Sequence, residues 1–303
     1  MPLPVPRLTP VLLLASCLLL LSFGTATSQP GVQKGNSPTV NVLVSVVDKD
    51  GRPVTNLKET DFRIREDGKL QTITSFVDAS AEPLSVALIV DRSGSTKAAL
   101  QQTAKAFDAA MTFFRSSVQP GRDTIALVAF DNSVTLDWRN FSDNLSQLPQ
   151  AISDTLNQAF GGSALYDALA GAARLLQGRQ GRRFIFIVSD GDDNRSRTSA
   201  EEAMRAVQRG DIGILAVSTP GIPIASRTRG SDFLEALAEE TGGQFFPSFA
   251  AREADRLREE FAAQYAIQYQ STNTKVSGKH REIRVEPVNR NHRIRHRTRY
   301  WNE

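Results

Sequence analysis

The chain has 303 residues and contains few of the side chains that bind soft metals or form disulfides, with one cysteine and three histidines. The cysteine, Cys17, lies in an apolar amino-terminal segment, so the rest of the chain can form no internal disulfide and has no thiol chemistry. The histidines, His280, His292 and His296, are far in sequence from the acidic motifs described below. The sequence therefore does not indicate a histidine or cysteine metal site.

Neither sign of charge dominates the composition. There are 36 lysines and arginines against 33 aspartates and glutamates, a net charge of +3. Because this balance supplies no large basic surface, composition gives no reason to expect a nucleic-acid or membrane partner. A hydrophobic fraction of 40% is ordinary for a globular protein and allows one large domain and a smaller one.

The amino-terminal segment is typical of a secretory signal peptide. Residues 1–26 contain a lone Arg7, an apolar stretch at 11–23 and small residues before a cleavage site near Ala26. The apolar stretch is shorter than the roughly 20 residues that a membrane-spanning helix requires. We therefore expect a secreted or periplasmic protein. The alternative is a lipoprotein acylated at Cys17, but the four leucines after the cysteine stand where a mature lipoprotein usually becomes polar.

The hydrophobic pattern divides the chain into segments. A polar linker at 27–38 precedes a β module at 39–82, in which apolar and polar residues alternate around Asp-Gly turns. From residue 83 to 263 short apolar runs alternate with amphipathic helical patterns, which predicts a doubly wound, mostly parallel α/β sheet with helices on both faces. The predicted strands are 86–90, 124–130, 184–189 and 212–217, with "SVTLDW" a possible antiparallel edge strand.

The pattern returns to a period of two after residue 263. Tyr265, Ile267 and Tyr269 alternate with polar residues, and two further runs, "HREIRVEPV" and "HRIRHRTRYW", are strand-like. We expect the strands of 264–303 to pack on the amino-terminal module, so that the α/β domain is inserted into one composite β domain.

Oxygen-bearing side chains cluster where predicted strands end and where a helix begins. They occur in "DRSGS", "GGSALYD" and "VSDGDD", and the candidate ligands are Asp91, Ser93, Ser95, Ser163 and Asp190. Ligands of open α/β sheets bind at the carboxyl ends of the strands, where Asp91 and Asp190 lie. An all-oxygen set of this kind suits Mg²⁺ or Mn²⁺ better than zinc or copper.

Helix capping is the alternative role for each serine. Ser93 or Ser95 could cap a helix beginning near Lys97, and Ser163 the helix that begins at Leu165. Capping explains neither of the two aspartates, so the metal interpretation accounts for more of the pattern.

These motifs resemble the metal-ion-dependent adhesion site of von Willebrand factor A domains, in which DxSxS is followed by a threonine and later by an aspartate after a buried strand. The resemblance covers residues 83–261, and the flanking segments resemble secreted bacterial VWFA-related proteins of the acidobacterial type. It implies that Ser93 and Ser95 ligate the cation directly, with Ser163 at the threonine position. Asp91 and Asp190 would act directly or through water, and Arg92 would lie at the rim.

The resemblance implies a binding protein rather than an enzyme, in which the cation captures an acidic side chain of a partner protein. One alternative is a metal-dependent hydrolase of phosphate or ester substrates, although Asp192 and Asp193 are the only candidate bases and there is no GxSxG elbow or P-loop lysine.

Another alternative is a metal-independent scaffold that docks an anionic partner through a stripe of arginines on one face of a strand. The stripe would consist of Arg293, Arg295, Arg297 and Arg299. The same arginines could instead form a solvated face that is partly paired with carboxylates.

Overall fold

A computed structural model describes residues 38–135, 141–158, 161–219, 229–275 and 278–302. The expected signal peptide with Cys17, and the linker up to residue 37, lie outside these residues. Among the residues described, no helix combines the length and apolar character needed to cross a membrane.

Fourteen strands occur in the described part of the chain. In chain order they are β1 (Thr39–Val47), β2 (Phe62–Glu66), β3 (Lys69–Gln71), β4 (Ile73–Asp78), β5 (Leu84–Asp91), β6 (Thr124–Phe130), β7 (Val134–Thr135), β8 (Arg182–Ser189), β9 (Gly213–Ser218), β10 (Gln244–Phe246), β11 (Gln264–Gln270), β12 (Lys279–Pro287), β13 (Arg293–His296) and β14 (Arg299–Asn302).

Seven α-helices connect the middle strands within the same residues. They are α1 (Gly94–Ala98), α2 (Leu100–Ser117), α3 (Leu148–Asn157), α4 (Leu165–Leu176), α5 (Ala200–Arg209), α6 (Arg229–Glu240) and α7 (Ala251–Phe261).

The central sheet has six strands in the order β10-β9-β8-β5-β6-β7, and all are parallel except the edge strand β7. Strand β5 is buried at all eight positions because helices cover both faces of the sheet. One hydrophobic core contains α2, α3 and α7, and a second, on the opposite face, contains α4, α5 and α6. The predicted α/β fold class is confirmed.

Helix α3 was not predicted from the sequence. Its buried apolar residues, Leu148, Ile152 and Leu156, recur only once per turn in an otherwise polar segment, so the apolar stripe is too narrow to recognise. The antiparallel edge strand expected in "SVTLDW" is present at Val134–Thr135, and the remainder of that segment, from residue 136, lies outside the described residues.

Strands from the two ends of the chain pair with each other in two four-stranded sheets. One has the order β13-β1-β11-β4 and the other the order β14-β12-β2-β3. The register pairs Val42 with Ile267 in the first sheet and Ile64 with Val285 in the second. Alternate residues of these strands form a third hydrophobic core, so the two sheets bury one face each.

The sequence pattern predicted one strand through "HRIRHRTRYW", and this prediction is wrong. The run divides into β13 and β14, which belong to different sheets, and Arg297 lies between them in an isolated bridge with Thr241. A Cβ atom at Gly242 would lie 2.4 Å from the backbone nitrogen of Arg297, so the chain approaches the α/β domain closely at this point. The four arginines therefore do not share one face of a strand.

Three of these arginines also have carboxylate partners in the α/β domain. The pairs are Arg295 with Glu260, Arg297 with Asp211 and Arg299 with Glu240. The interpretation as a face partly paired with carboxylates therefore describes these three residues better than a free docking stripe.

A buried ion pair within the second sheet is hydrogen-bonded to Tyr269 of strand β11. The guanidinium of Arg281 in β12 lies 2.8 Å from the Glu66 carboxylate in β2, with side-chain exposures of 3% and 1%. Glu66 also accepts hydrogen bonds from the hydroxyls of Tyr269, Ser271 and Tyr300. Because every one of these donors comes from the carboxyl-terminal segment, the pair fixes the two ends of the chain to each other.

Replacing Arg281 by methionine should destabilise the protein by about 3 to 5 kcal/mol, because it leaves the buried Glu66 charge without a cation. Urea unfolding measures this change in free energy. Arg284→Met on the same strand is the matched control, since Arg284 pairs with Glu286 at 3.0 Å while its side chain is 72% exposed. We expect a loss below about 1 kcal/mol for the control, and equal losses for both variants would contradict the account.

Candidate metal site

The candidate site is formed where two adjacent parallel strands end. Strands β5 and β8 are paired in register, with Val90 opposite Val188. Asp91 is the last residue of β5, and Asp190 directly follows β8, so both carboxylates reach the same edge of the sheet. Asp91 is fully buried and Asp190 is 2% exposed. The fold therefore buries two like charges beside each other, which is costly without a positive partner.

The Asp91 carboxylate accepts hydrogen bonds at both oxygens. The backbone N–H of Ser93 donates to Oδ1 at 2.8 Å, and the Ser189 hydroxyl donates to Oδ2 at 2.6 Å. Burial, with a smaller contribution from the nearby Asp190 charge, nevertheless raises the pKa of Asp91 to about 6 against the lowering effect of these hydrogen bonds. Both effects penalise the charged form of Asp91, and a bound cation would oppose them.

The hydroxyls of the DRSGS segment converge on each other. The Oγ atoms of Ser93 and Ser95 are 2.9 Å apart, and Ser93 Oγ lies 3.3 Å from the Thr96 hydroxyl. Ser93 occupies the N-cap position of α1, but its side chain makes no capping hydrogen bond. The capping alternative therefore does not explain the orientation of the Ser93 hydroxyl.

Ser163 does not cap α4 either. The N-cap residue of α4 is Ala164, which has no side-chain capping bond, and the Ser163 hydroxyl donates to the backbone carbonyl of Asp192 at 2.5 Å. The first turn of α4 is instead capped by Asp193, whose carboxylate accepts from the Tyr166 N–H at 3.0 Å. Ser163 is thus held against the loop that follows Asp190.

Asp190 has a buried carboxylate oxygen without a hydrogen-bond partner among the described residues. Its Oδ1 accepts the Asp192 N–H at 3.1 Å, whereas its Oδ2 is buried and has no hydrogen-bond partner among the described residues. Buried carboxylate oxygens are almost always satisfied by a donor, by water or by a cation. The structure therefore brings together two carboxylates and two adjacent hydroxyls, with one carboxylate oxygen left unpaired.

This donor set suits a hard divalent cation. Its atoms are carboxylate and hydroxyl oxygens, which Mg²⁺ and Mn²⁺ prefer, and it supplies few ligands, as is usual for ions that retain water. Within the described residues no group of three or more histidine, cysteine, aspartate or glutamate side chains could hold a metal, so a site here depends on serine hydroxyls.

Arg92 lies elsewhere than we expected. It is 8% exposed rather than at an open rim, and its guanidinium lies 3.0 Å from the Asp131 carboxylate and 3.1 Å from the Thr135 hydroxyl. Asp131 follows β6, the next strand along the sheet, and its carbonyl accepts the Ala164 N–H at 2.8 Å. Arg92 therefore joins the loop after β5 to the loops after β6 and before α4.

Two further polar residues organise the site and were not identified from the sequence. The Ser189 hydroxyl bonds Asp91 and accepts the Gly191 N–H at 3.0 Å. The Asn194 side chain accepts the Ser163 N–H at 3.0 Å. The only sequence signal for Ser189 is a polar residue that ends an apolar run, and its contact with Asp91 depends on the register between two strands that are distant in sequence.

Replacing Asp91 by asparagine should change how the stability of the metal-free protein depends on pH. The folded pKa of about 6 exceeds the ordinary value of 3.8, so protonated Asp91 stabilises the fold below about pH 4 and this contribution is lost as the pH rises through 6. The loss amounts to about 3 kcal/mol at most. In EDTA, the free energy of unfolding of the variant should therefore increase relative to that of wild type between pH 4 and pH 7.

Asp255→Asn on α7 is the control, because its side chain is 66% exposed and belongs to none of the segments that form the site. Its stability difference from wild type should stay nearly constant over the same pH range. An Asp91→Asn difference that is equally independent of pH would show that burial does not perturb Asp91.

Comparison with known proteins supports the assignment of the α/β domain. Residues 86–192 match the family model for the von Willebrand factor type A domain. No curated protein matches the chain.

Solved structures that resemble the chain share low sequence identity with it. An aerotolerance-related membrane protein from Bacteroides fragilis is 16% identical, with 60% of this chain and 98% of that chain covered at a TM-score of 0.44. The protein BatB from Bacteroides thetaiotaomicron is 14% identical, with 60% and 98% covered and a TM-score of 0.46. Proximal thread matrix protein 1 from the mussel byssus, with a zinc-occupied MIDAS motif, is 19% identical, with 63% and 48% covered and a TM-score of 0.48. The segment that carries all five candidate ligands thus matches the von Willebrand factor type A domain family, which confirms the resemblance for residues 86–192.

Proposed function

We propose that the protein binds a divalent cation, Mg²⁺ or Mn²⁺, at the carboxyl edge of its parallel sheet and uses it to bind an acidic side chain of a partner protein. Ser93 and Ser95 would hold the cation through their hydroxyls, and Asp91, Asp190 and Ser163 would hold it directly or through water. Secretion or a periplasmic location belongs to the same proposal, because a partner-binding protein with the segment 1–26 would act outside the cytoplasm.

The observation that carries this proposal is the unpaired carboxylate oxygen of Asp190, buried beside Asp91. Without a cation or a water there, this oxygen has no hydrogen-bond partner among the described residues, and two like charges lie adjacent. When bound, the cation supplies positive charge and a coordination position for a carboxylate. The hydroxyls of Ser93 and Ser95 are neutral, so these two ligands leave the cation more of its positive charge for an acidic ligand than carboxylates in their place would.

The same arrangement engages one of the two candidate bases of the hydrolase alternative in structural contacts. The Asp193 carboxylate, one of two candidate bases, already accepts from the Tyr166 N–H and from the Ser196 hydroxyl at 2.5 Å. Asp192 is the candidate base that remains, because burial and the neighbouring Asp190 charge raise its pKa. Hydrolysis of a phosphoester that is lost in Asp192→Asn would support the hydrolase alternative instead.

Adding Mg²⁺ or Mn²⁺ to the protein after treatment with EDTA should raise its stability. A ligand present at about one hundred times its dissociation constant adds roughly 2.7 kcal/mol to the free energy of unfolding. Chemical unfolding with each cation measures the effect, and Ser95→Ala and Asp190→Asn should abolish it. Ser95 is partly exposed, so its variant should fold normally.

Asp255→Asn controls for weak binding to surface carboxylates and should respond to the cations as wild type does. A cation effect that persists in both site variants would place the bound ion elsewhere. No effect of any divalent cation on folded wild-type protein would contradict the proposal.

Peptides selected against the protein in Mg²⁺ from a random library should contain aspartate or glutamate at a fixed position. Exchanging that residue for its amide, chelating the metal, or introducing Ser95→Ala should each weaken binding at least tenfold, because each removes one member of the same coordination contact. Fluorescence anisotropy measures the affinities. Peptides that bind equally well in EDTA would support metal-independent recognition.

A further inference from the structure

A cavity of about 410 Å³ lies at the opposite edge of the parallel sheet from the candidate cation site. One wall contains Arg182 and Gly213, the first residues of β8 and β9, and the other contains Val42 of β1 and Ala266 of β11. The cavity therefore separates the amino-terminal edge of the central sheet from the sheet that the two ends of the chain form.

Arginine is the most frequent charged residue in the walls of this cavity. Five arginines line it, namely Arg179, Arg182, Arg183, Arg297 and Arg299. Three carboxylates also line it, namely Glu82, Asp211 and Glu240. The walls thus carry more positive than negative charge, and Arg182 and Arg297 among them are buried.

Two of the three carboxylates do little to balance the interior charge. Glu240 pairs with Arg299 at 3.2 Å, and Glu82 is an exposed residue. Asp211 is the carboxylate that lies near both Arg183 and Arg297. It forms a hydrogen-bonded ion pair with Arg297 through Oδ1, while its Oδ2 lies 3.8 Å from Arg183, beyond hydrogen-bond distance.

Arg182 makes no direct ion pair with a carboxylate among the described residues, although it is only 5% exposed; the charges of Asp123, Asp78 and Glu82 act on it without such contact. Its guanidinium donates to neutral acceptors, which include the Phe261 carbonyl at 2.7 Å and the Gln264 side chain at 3.1 Å. Burial lowers its pKa to about 10, so the side chain is still charged at neutral pH. Burial likewise lowers the pKa of Arg183.

A buried cation without a counter-ion is costly, and guanidinium groups satisfy this need best with a planar or tetrahedral oxyanion. We propose that the cavity binds a small oxyanion, a phosphate or carboxylate group, between Arg183 and Arg297, with Arg182 adding positive charge. Arg183 is the principal ligand because its side chain is 22% exposed and has no carboxylate within hydrogen-bond distance. The carboxylate of Asp211 would compete with the bound anion for the guanidinium groups of Arg183 and Arg297.

The site is independent of the proposed cation site, since it involves none of the same residues and lies at the other end of β8. It also differs from an exposed arginine stripe, because Arg183 belongs to the central sheet and the cavity is shared by two layers. Binding should therefore be observed in EDTA, and its failure would leave the proposed function untouched.

Isothermal titration calorimetry with inorganic phosphate and, separately, malonate tests the proposal, in EDTA and at constant ionic strength set by sodium chloride. We expect saturable binding of one anion per chain, and the tighter of the two identifies phosphate or carboxylate as the preferred group. Arg183→Gln should weaken binding at least tenfold. Arg293→Gln, which removes an exposed arginine of β13 that does not line the cavity, should bind as wild type does.

Asp211→Asn provides a second test, because it should increase anion affinity and an unfolded variant would not show such an increase. Asparagine tolerates the positive φ of 49° at this position, and the substitution removes the competing charge, so anion affinity should rise. The absence of saturable binding by either anion to folded wild-type protein would overturn the proposal. Equal loss in Arg183→Gln and Arg293→Gln would also overturn it, because that result indicates nonspecific attraction to basic residues.

Discussion

The central physical constraint in this molecule is the burial of two carboxylates side by side. Asp91 ends strand β5, and Asp190 directly follows the neighbouring parallel strand β8. Both carboxylates therefore lie at the same edge of the sheet. Two donors stabilise Asp91, yet one oxygen of Asp190 stays unpaired among the described residues. Burial and mutual repulsion disfavour the charged forms of both carboxylates. A cation coordinated by both groups would offset these effects, which would favour its binding.

The loops around this edge hold one another in place. Arg92 joins the loop after β5 to Asp131 after β6, and Asp193, after β8, caps the helix that follows Ser163. The contacts that connect these loops at the carboxyl edge of the central sheet therefore also position the serine hydroxyls. This arrangement keeps hydroxyls and carboxylates near each other before any ligand arrives, which reduces the cost of ordering them on binding.

The opposite end of the domain is stabilised in another way. Strands from both ends of the chain pair in two small sheets, and the buried Glu66–Arg281 pair of one sheet is hydrogen-bonded to Tyr269 of the other. The α/β domain thus has its two connections on the same side, away from the carboxylates. A partner that approaches the carboxyl edge would meet loops of the α/β domain rather than the composite sheets.

The sequence predicts the central sheet well because buried parallel strands appear as uninterrupted apolar runs. Strand β6 has the predicted bounds, and its apolar run is enclosed by Asp123 and Asp131. The sequence also places Asp91 and Asp190 at strand ends, since each directly follows such a run. These are local features, which a pattern of residue types can report.

The features that the sequence does not reveal depend on contacts between distant segments. The run "HRIRHRTRYW" divides where Gly242 closely approaches Arg297, and alternation alone contains no sign of this contact. The same holds for the burial of Arg92 against Asp131 and for the contact of Ser189 with Asp91. Helix α3 has too narrow an apolar stripe to be distinguished from a polar loop.

The most direct test of the cation site is anomalous diffraction from crystals of the protein grown with Mn²⁺. The account predicts one strong anomalous peak within coordination distance of the Ser93 and Ser95 hydroxyls, next to the carboxylates of Asp91 and Asp190. A well-ordered site without manganese, with water or a side-chain donor satisfying the free oxygen of Asp190, would contradict it.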